Sequence, residues 1–537
     1  MIRNLQSHFA LNPTLETDTI RSKFRRTNKH LTTGNAGDII VCYIDEMYPG
    51  DTFNMKTGVL TRMSTPVVPV MSDAYQDLYS FFVPYRLIWE HWEEFMGENK
   101  TSAYEQPVEY SIPQIKAPTG GWKKGTIADY MGLPTNVEGI EVSALPFRAY
   151  AKIINDWFRD ENLVNPCNIT LGDETIDGSN GATHESDVEK GGKPFVAAKL
   201  ADYFTTCLPK MQKGPEVKLP LGISAPIKNV SGYDNPQLLK INGTIPTGGT
   251  VNVSGNYGIV TDQSGNALIY HPAGTLEADL TQATSANIIQ IRQAFTVQSF
   301  YEQLNRGGSR YIEIIYNMFG VTSSDARLQR SEYLGGKRFL LNMETVVQTS
   351  GTTDISPQGN IAGYSSTINT EDEWTYSAEE HGIVMTLSVI RYPHDYEQGI
   401  ERFWSEKDKF DKYWTTFNGI GDQAVLQKEI RATGTDTDEE VFGYQERYGH
   451  MRYKPNRITG AFRSNYEQTL NVFHYGDYYT DKPVLGPEWI KENKENVNRT
   501  LAVQSELEDQ FLMDFYFENT CVRPMPAYSI PGMRSYL

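Results

Sequence analysis

The sequence has little cysteine and no long apolar run. Its four cysteines, Cys42, Cys167, Cys207 and Cys521, lie far apart and form neither a C-x-x-C pair nor a dense framework. That spacing excludes a disulfide scaffold or a cysteine zinc site and predicts buried, reduced thiols. Charges and prolines interrupt every hydrophobic stretch before the roughly 18 consecutive apolar residues that a membrane span needs, so no membrane insertion is expected. The first thirty residues are polar and basic around a weak apolar patch and lack the h-region of a secretory signal, which makes folding in a cytoplasm the expectation. Gly and Pro are near average usage, at 44 and 27 of 537 residues, and this excludes a collagen-like or wholly disordered chain. Positive charge is scarce: 49 Lys and Arg against 67 Asp and Glu leave a net −18 at pH 7. A free-standing nucleic-acid binder normally needs the opposite balance.

One local exception stands out. Between Ile20 and Leu31 lie Arg21, Lys23, Arg25, Arg26 and Lys29 with no carboxylate among them, which reads as a basic N-terminal arm over residues 1–36. Beyond it, Asp38 to Asp45 is a β-rich run closed by the turn-forming Pro49-Gly50-Asp51. Further extended segments are predicted at Val59 to Val70 and Leu78 to Val83. Leu87 to Met96 places Trp89, Trp92 and Met96 on one helical face, and residues 144–158 and 288–304 also have amphipathic helical spacing. Lys337 to Glu344 and Ile383 to Ile390 alternate as half-buried strands. The C-terminal third reads as irregular and aromatic-rich, and after Arg523 prolines keep the tail out of helix.

Two stretches differ in composition. Residues 227–290 carry few charges and many Gly, Ser, Thr and Asn around short β-branched runs, the composition of a β-rich surface insertion too small for its own core. Residues 172–193, rich in Gly, Asp and Glu, read as another exposed loop. Catalytic motifs fail one by one. Gly335-Gly336-Lys337 and Gly191-Gly192-Lys193 lack the hydroxyl and upstream glycine of a phosphate loop. His381 and His394 lie in no H-E-x-x-H and read as a solvated face or loop, and Asp436, Asp438, Glu439 and Glu440 lack the glycine and terminal glutamate of a calcium loop. Paired carboxylates for glycoside chemistry stay open, since they are defined only by separation in space. The N-x-[ST] triplets, such as those at Asn168, Asn229, Asn242, Asn252 and Asn498, are read as chance.

Several blocks resemble one family. NAGDIIVCYIDEMYPGDTFN (35–54) and FFVPYRLIWEHWEEFMGEN (81–99) are similar to the major capsid protein of gokushoviruses, small single-stranded DNA phages of the Microviridae. The similarity continues at 145–163, 207–222, 306–336, 397–414, 441–465 and 521–532, and it fails mainly at residues 172–193 and 227–290. The resemblance implies a mainly β fold, an eight-stranded antiparallel viral jelly-roll barrel spanning 37–537. Its long inter-strand loops would hold several helices and the surface insertion. It also implies about sixty copies in a T=1 icosahedral shell, a virion component folded and assembled in the bacterial cytoplasm, with no catalysis, metal or cofactor.

Partners follow from the same resemblance: packaged single-stranded DNA, a small basic DNA-packaging protein, a transient internal scaffolding protein, a minor or pilot protein, and a host surface receptor. Charge supports the packaging partner independently, because about sixty copies at −18 sum to roughly −1,080 and must enclose a polyanion. Candidate interior contacts to DNA are Arg21, Lys23, Arg25, Arg26, Lys29, Arg523 and Arg534, with Phe24 and Tyr536 able to stack on bases. The competing reading runs the arm across a neighbouring subunit, paired with carboxylates. With 32 Tyr, 23 Phe and 8 Trp, rings are available for both core and interface; Phe82, Trp89 and Trp92 are assigned to core, and Tyr475, Tyr478 and Tyr479 to interface. The insertion, carrying Asn252, Asn256, Tyr257, Asp262 and Asn266, matches in placement the family's threefold protrusion, with host recognition or threefold sealing as its role. The alternative from another class is a jelly-roll carbohydrate-binding protein or glycosidase.

Overall fold

The computed structural model describes residues 21–98, 100, 108–217, 288–352, 358–359 and 361–528, together with six three-residue strands between 227 and 278. The chain divides into two units, one of Met1–Met211 with Gly307–Leu537 and one of Gln212–Arg306. Eight long strands build the first: β1 (Ser22–Gly34), β2 (Ile40–Met47), β3 (Thr52–Met63), β4 (Tyr75–Pro84), β5 (Glu332–Leu340), β6 (Thr367–Ser377), β7 (Gly382–Arg391) and β8 (Phe511–Arg523). They form two four-stranded antiparallel sheets, ordered β1-β8-β3-β6 and β5-β4-β7-β2. The pairs β1–β8, β2–β7, β3–β6 and β4–β5 are nested, the first strand with the last and so inward.

Alternation makes the first sheet. In β3, Phe53, Met55, Thr57, Val59, Thr61 and Met63 are buried, and in β8 Phe511, Met513, Phe515, Phe517, Asn519 and Cys521 are buried, while the alternate residues face outward. Phe515 lies directly opposite Val59, and Cys521 opposite Phe53, so the two inner rows coincide. This row packs against the second sheet within a single core. Tyr43 of β2 meets Phe517 of β8 at 5.0 Å between ring centroids, and Phe82 of β4 meets Tyr376 of β6 at 5.0 Å. Gln76 of β4 is fully buried and bonds across both sheets, accepting from Thr61 Oγ1 at 2.5 Å and donating to Ser388 Oγ at 2.9 Å.

The second sheet departs from the half-buried expectation. In β7 every residue but Arg391 is buried, because the chain's own connections cover the outer face as well. Helix α1 (Leu145–Ile153) packs on β4 and β7, and its Tyr150 donates to the Ile39 carbonyl at 2.7 Å. Thr386 and Ser388, which look like a polar row, are buried and bonded to Ser80 and Gln76. Trp89 is fully buried and Trp92 half-buried against the core, as assigned, but the helix there is a single turn, Trp92–Phe95, that follows a 3-10 turn and leaves Met96 exposed. Further differences concern boundaries. The segment taken for a basic arm is strand β1 from Ser22 onward, and the irregular C-terminal third contains β8. The loop at 172–193 is exposed only in part; Val188 and Glu189 are buried, and Glu189 accepts from the Thr170 amide at 2.6 Å. All four cysteines are buried and free.

The second unit is a ladder of nested antiparallel pairs, Ile227–Asn229 with Leu276–Ala278, Leu238–Lys240 with Leu268–Tyr270, and Asn252–Ser254 with Ile259–Thr261. It continues into helix α2 (Ile288–Arg306), so the excursion extends past the predicted end at 290. No helix among the described residues is long and apolar enough to cross a membrane.

Two buried ionic sites stand out, one within the second sheet and one among the connections. Asp77 of β4 holds Arg338 of β5 at 2.6 and 2.9 Å and Arg391 of β7 at 2.6 Å. Burial alone would raise the Asp77 carboxyl, but the two guanidinium groups outweigh it and hold the carboxyl below its usual range. The second site contradicts the solvated-loop reading of His394. Its ring is fully buried between Asp477, 2.6 Å from Nδ1, and Glu492, 2.8 Å from Nε2, while Asn496 donates to Asp477 at 2.7 Å. Burial opposes the imidazolium, yet the two carboxylates prevail and raise His394 to about 9, while Asp477 falls to about 2.

Because the His394 value lies above the ordinary 6.5, its stabilisation is complete below pH 6.5 and is lost as pH rises through about 9. The Asp477 contribution is complete above about pH 4 and is lost as pH falls through about 2. His394→Gln is expected to cost about 3–5 kcal/mol at pH 6, since it strands two buried acids. Urea midpoints of the isolated subunit at pH 6, 7.5 and 9 check this. The wild type should weaken across the series, and the variant should show a smaller pH dependence.

Candidate nucleic-acid and assembly surfaces

Strand alternation divides the basic cluster between two environments. Lys23, Arg25 and Lys29 stand opposite Val522, Thr520 and Tyr516 of β8 and so lie on the outward face of the first sheet. Arg26 stands opposite the buried Asn519 and therefore projects toward the second sheet, where both its terminal nitrogens meet the carboxylate of Asp45 on β2. On the outward face Arg25 pairs with Glu518 at 2.7 Å and Lys29 with Asp514 at 2.6 Å, both acids on the adjacent β8. Arg21 donates to the Gly50 carbonyl. Arg523 pairs with Asp51 at 3.2 Å, donates to the Glu46 carbonyl at 2.8 Å and lies over the rings of Tyr48 and Phe53. Phe24 is half-buried, and Arg534 and Tyr536 lie outside the described residues. Carboxylate pairing is thus present, within the chain itself. Exposed pairs of this kind are worth about 0–1 kcal/mol each and open readily to a competing anion.

The three tyrosines separate. Tyr475, expected at an interface, is 2 % exposed. Its ring lies 5.0 Å from Tyr392 and its hydroxyl 3.8 Å from Met63 Sδ, so it is a core residue tying the 474–479 loop to β3. Tyr479 is half-buried, with its hydroxyl 3.3 Å from the Lys199 ammonium, which also sits over Trp489 at 4.4 Å. Tyr478 is exposed. Of the receptor-loop residues, Asn252 opens a described strand and pairs in register with Thr261; Asn256, Tyr257, Asp262 and Asn266 lie outside the described residues.

No group of three or more His, Cys, Asp or Glu side chains among the described residues is arranged to hold a metal. Glu380 is engaged by Arg86 at 2.6 and 2.9 Å, and the 433–440 loop is organised by Asp438 accepting from the amides of Thr433 and Gly434. Lys193, in the glycine-lysine motif, caps the carbonyls of Lys124 and Gly125.

Sequence reasoning missed the surface around residues 396–463. A cleft of about 580 Å3 opens there, lined by Tyr203, Phe204, Tyr396, Phe403, Trp404 and Tyr453 among others. Beside it Phe410, Tyr413 and Trp414 stand largely exposed. The available signal was a run of aromatic residues among alternating charges without helical or strand period.

Tyr475→Ala is expected to cost about 3–5 kcal/mol through lost burial and a residual cavity, whereas Tyr478→Ala should stay within about 0.5 kcal/mol. Urea unfolding of the two variants side by side measures the contrast.

Comparison with known proteins identifies the family. The family model described as capsid protein (F protein) matches residues 14–533. The chain is 42 % identical over 531 residues to capsid protein VP1 of Spiroplasma virus 4, covering 96 % of this chain and 95 % of that protein. It is 41 % identical over 539 residues to capsid protein VP1 of Bdellovibrio phage phiMH2K, covering 99 % and 98 %, and 35 % identical over 576 residues to that of Chlamydia phage 1, covering 96 % of each. These relatives are structural proteins, so the carbohydrate-active alternative falls away and the chain is not an enzyme. By sequence across nearly its whole length, the chain belongs to the phage F capsid protein family, among the gokushovirus members of the Microviridae.

Proposed function

We propose that this chain is the major capsid subunit of a phage whose T=1 icosahedral shell of about sixty copies encloses a circular single-stranded DNA genome. The observation that carries the reading is the nesting of its strand pairs, β1–β8, β2–β7, β3–β6 and β4–β5. A single antiparallel ribbon with that pairing, rolled so that its strands fall into two facing sheets, is the eight-stranded viral jelly roll. Such a barrel is rigid and tolerates long connections, as a tiling unit requires. Electron microscopy of the assembled protein tests the proposal: closed particles of uniform diameter are expected, and a population of small species alone overturns it.

The charge arrangement supports two partners. Since Arg25, Arg26, Lys29 and Arg523 already engage acids or carbonyls of their own chain, these candidate contacts offer little unpaired cation to a genome. A small basic packaging protein and mobile cations supply the remainder, while the outward face of β1 makes weak, salt-sensitive contacts with DNA. A transient internal scaffolding protein, a minor or pilot protein and assembly in the bacterial cytoplasm complete the reading. Arg25→Gln with Lys29→Gln should change subunit stability by no more than about 1 kcal/mol and lower the DNA-to-protein absorbance ratio of purified particles without reducing their number. Loss of particles would instead make β1 part of the assembly contact.

The ladder within Gln212–Arg306 is the host-attachment element in this reading, placed as a protrusion at the threefold axis. A thin excursion on a rigid scaffold can vary without disturbing the core. Replacing residues 244–275 by a Gly-Ser link should leave particle yield intact and reduce adsorption to host cells at least tenfold. Normal adsorption by such particles would leave threefold sealing as the role.

A further inference from the structure

Residues 401–420 (ERFWSEKDKFDKYWTTFNGI) contain nothing more regular than 3-10 turns, at Arg402–Ser405 and Thr415–Phe417. Yet the segment is locally ordered. Phe403 and Trp404 form a tilted pair with ring centroids 4.6 Å apart, Trp414 Nε1 donates to the Lys409 carbonyl at 2.6 Å, and Tyr413 meets Tyr448 edge-on at 4.9 Å. Asp411 accepts from the amides of Lys407 and Asp408, and Asp408 from those of Phe410 and Asp411. This held conformation leaves large apolar groups in solvent: Trp404 is 71 % exposed, Ile420 60 %, Phe410 57 % and Trp414 50 %. Single exposed hydrophobic residues are unremarkable, but so many in one short segment mark a contact surface, and tryptophan is the commonest anchor of such surfaces.

Charge identifies the occupant. A nucleic acid would require an excess of cations. Here Arg402, Lys407, Lys409 and Lys412 are matched by Glu401, Glu406, Asp408 and Asp411, so the segment is neutral. A chain of net −18 repels a second copy of itself over most of its surface. Two copies approach at least electrostatic cost where each is locally neutral. Glu406 and Lys407 are already paired within the chain, with Lys412 and with Glu439, so the segment presents little unbalanced charge to a second copy.

We propose that residues 403–420 form a contact between two copies of this chain in the shell, anchored by Trp404 and Trp414. The inference rests on the shell reading and adds the surface that makes it work. Hydroxyl-radical footprinting of wild-type particles, read by mass spectrometry at Trp404 and Trp414, tests it directly. Three samples are compared: monomer isolated by sedimentation, DNA-free particles and DNA-filled particles. Both tryptophans should be modified at least fivefold more slowly in both kinds of particle than in monomer, with the buried Trp89 slow in all three. Equal rates in particles and monomer overturn the proposal. Protection confined to DNA-filled particles assigns the surface to nucleic acid, and protection confined to particles containing a further virion protein assigns it to that protein; either outcome overturns it. As a second arm, Trp404→Ala with Trp414→Ala should leave the monomer's melting temperature within a few degrees of wild type and reduce particle yield at least tenfold. Absence of any closed particle from the wild-type chain overturns the shell reading as well, whereas particles with unprotected tryptophans overturn this inference alone.

Discussion

The constraint on which the molecule depends is the meeting of two inner rows, one from each sheet, in a single core. Phe53, Met55 and Val59 of β3 lie beside Phe517 and Phe515 of β8, and that row closes on Leu78, Phe82 and Val384 of the opposite sheet. Because the strand pairs are nested, the sheets are held by pairings between distant parts of the chain and do not rely on short local hairpins. The connections are therefore released from the task of holding the fold. Two become very long, from Pro84 to Glu332 and from Arg391 to Phe511, and they carry the excursion, the cleft and the exposed aromatic segment.

Long connections must still be fixed in place, and buried charge does this at one site, as it also joins strands within the second sheet. Asp77 ties β4 to β5 and β7 through Arg338 and Arg391. His394 joins the chain just after β7 to the segments around Asp477 and Glu492. A buried ion replaced by an apolar residue of similar volume often costs nothing, so such sites are poor evidence of net stability. Their effect here is geometric. An imidazolium held by two carboxylates from separate stretches of chain permits one arrangement of three loops, and any other leaves a charge unpaired in the interior.

What the sequence disclosed follows from where each element lies. α1 and α2 show their period because one face is apolar and the other is not, and β2 and β4 show as short apolar runs rich in β-branched and aromatic residues. β1 is hidden because it lies at a sheet edge, where even its inner row is polar: Arg26, Asn28 and His30 alternate with Arg25, Thr27 and Lys29. β8 is hidden for the opposite reason, since Leu512 and Tyr516 on the outward row obscure the buried Phe511, Phe515 and Phe517. In β7, Thr386 and Ser388 imitate a solvent row, and only the positions of Ser80 and Gln76 show that they are buried and satisfied. Tyr475 and Tyr478 are three residues apart in an aperiodic stretch, and what separates them is a pocket made by Tyr392 and Met63, far away in the chain. Local pattern carries no information about such a contact. The same holds for residues 403–420, whose exposure is a property of the folded surface.

Covering one sheet also restricts where other molecules can meet the subunit. β4 and β7 are buried on both faces, so the second sheet offers no surface at its centre. The outward face of the first sheet remains, with Lys23, Arg25, Lys29, Lys56 and Arg62 set among Asp514, Glu518 and Glu373, together with the loops. These two surfaces differ in kind. Contacts on the charged face exchange one ion pair for another and weaken as salt screens them. Contacts on the neutral aromatic segment remove apolar area from water and respond little to ionic strength. A shell that must hold its form while its contents are charged and exchangeable needs both properties. The fold keeps them on separate parts of the chain, the first on barrel strands and the second on a connection that the barrel leaves free.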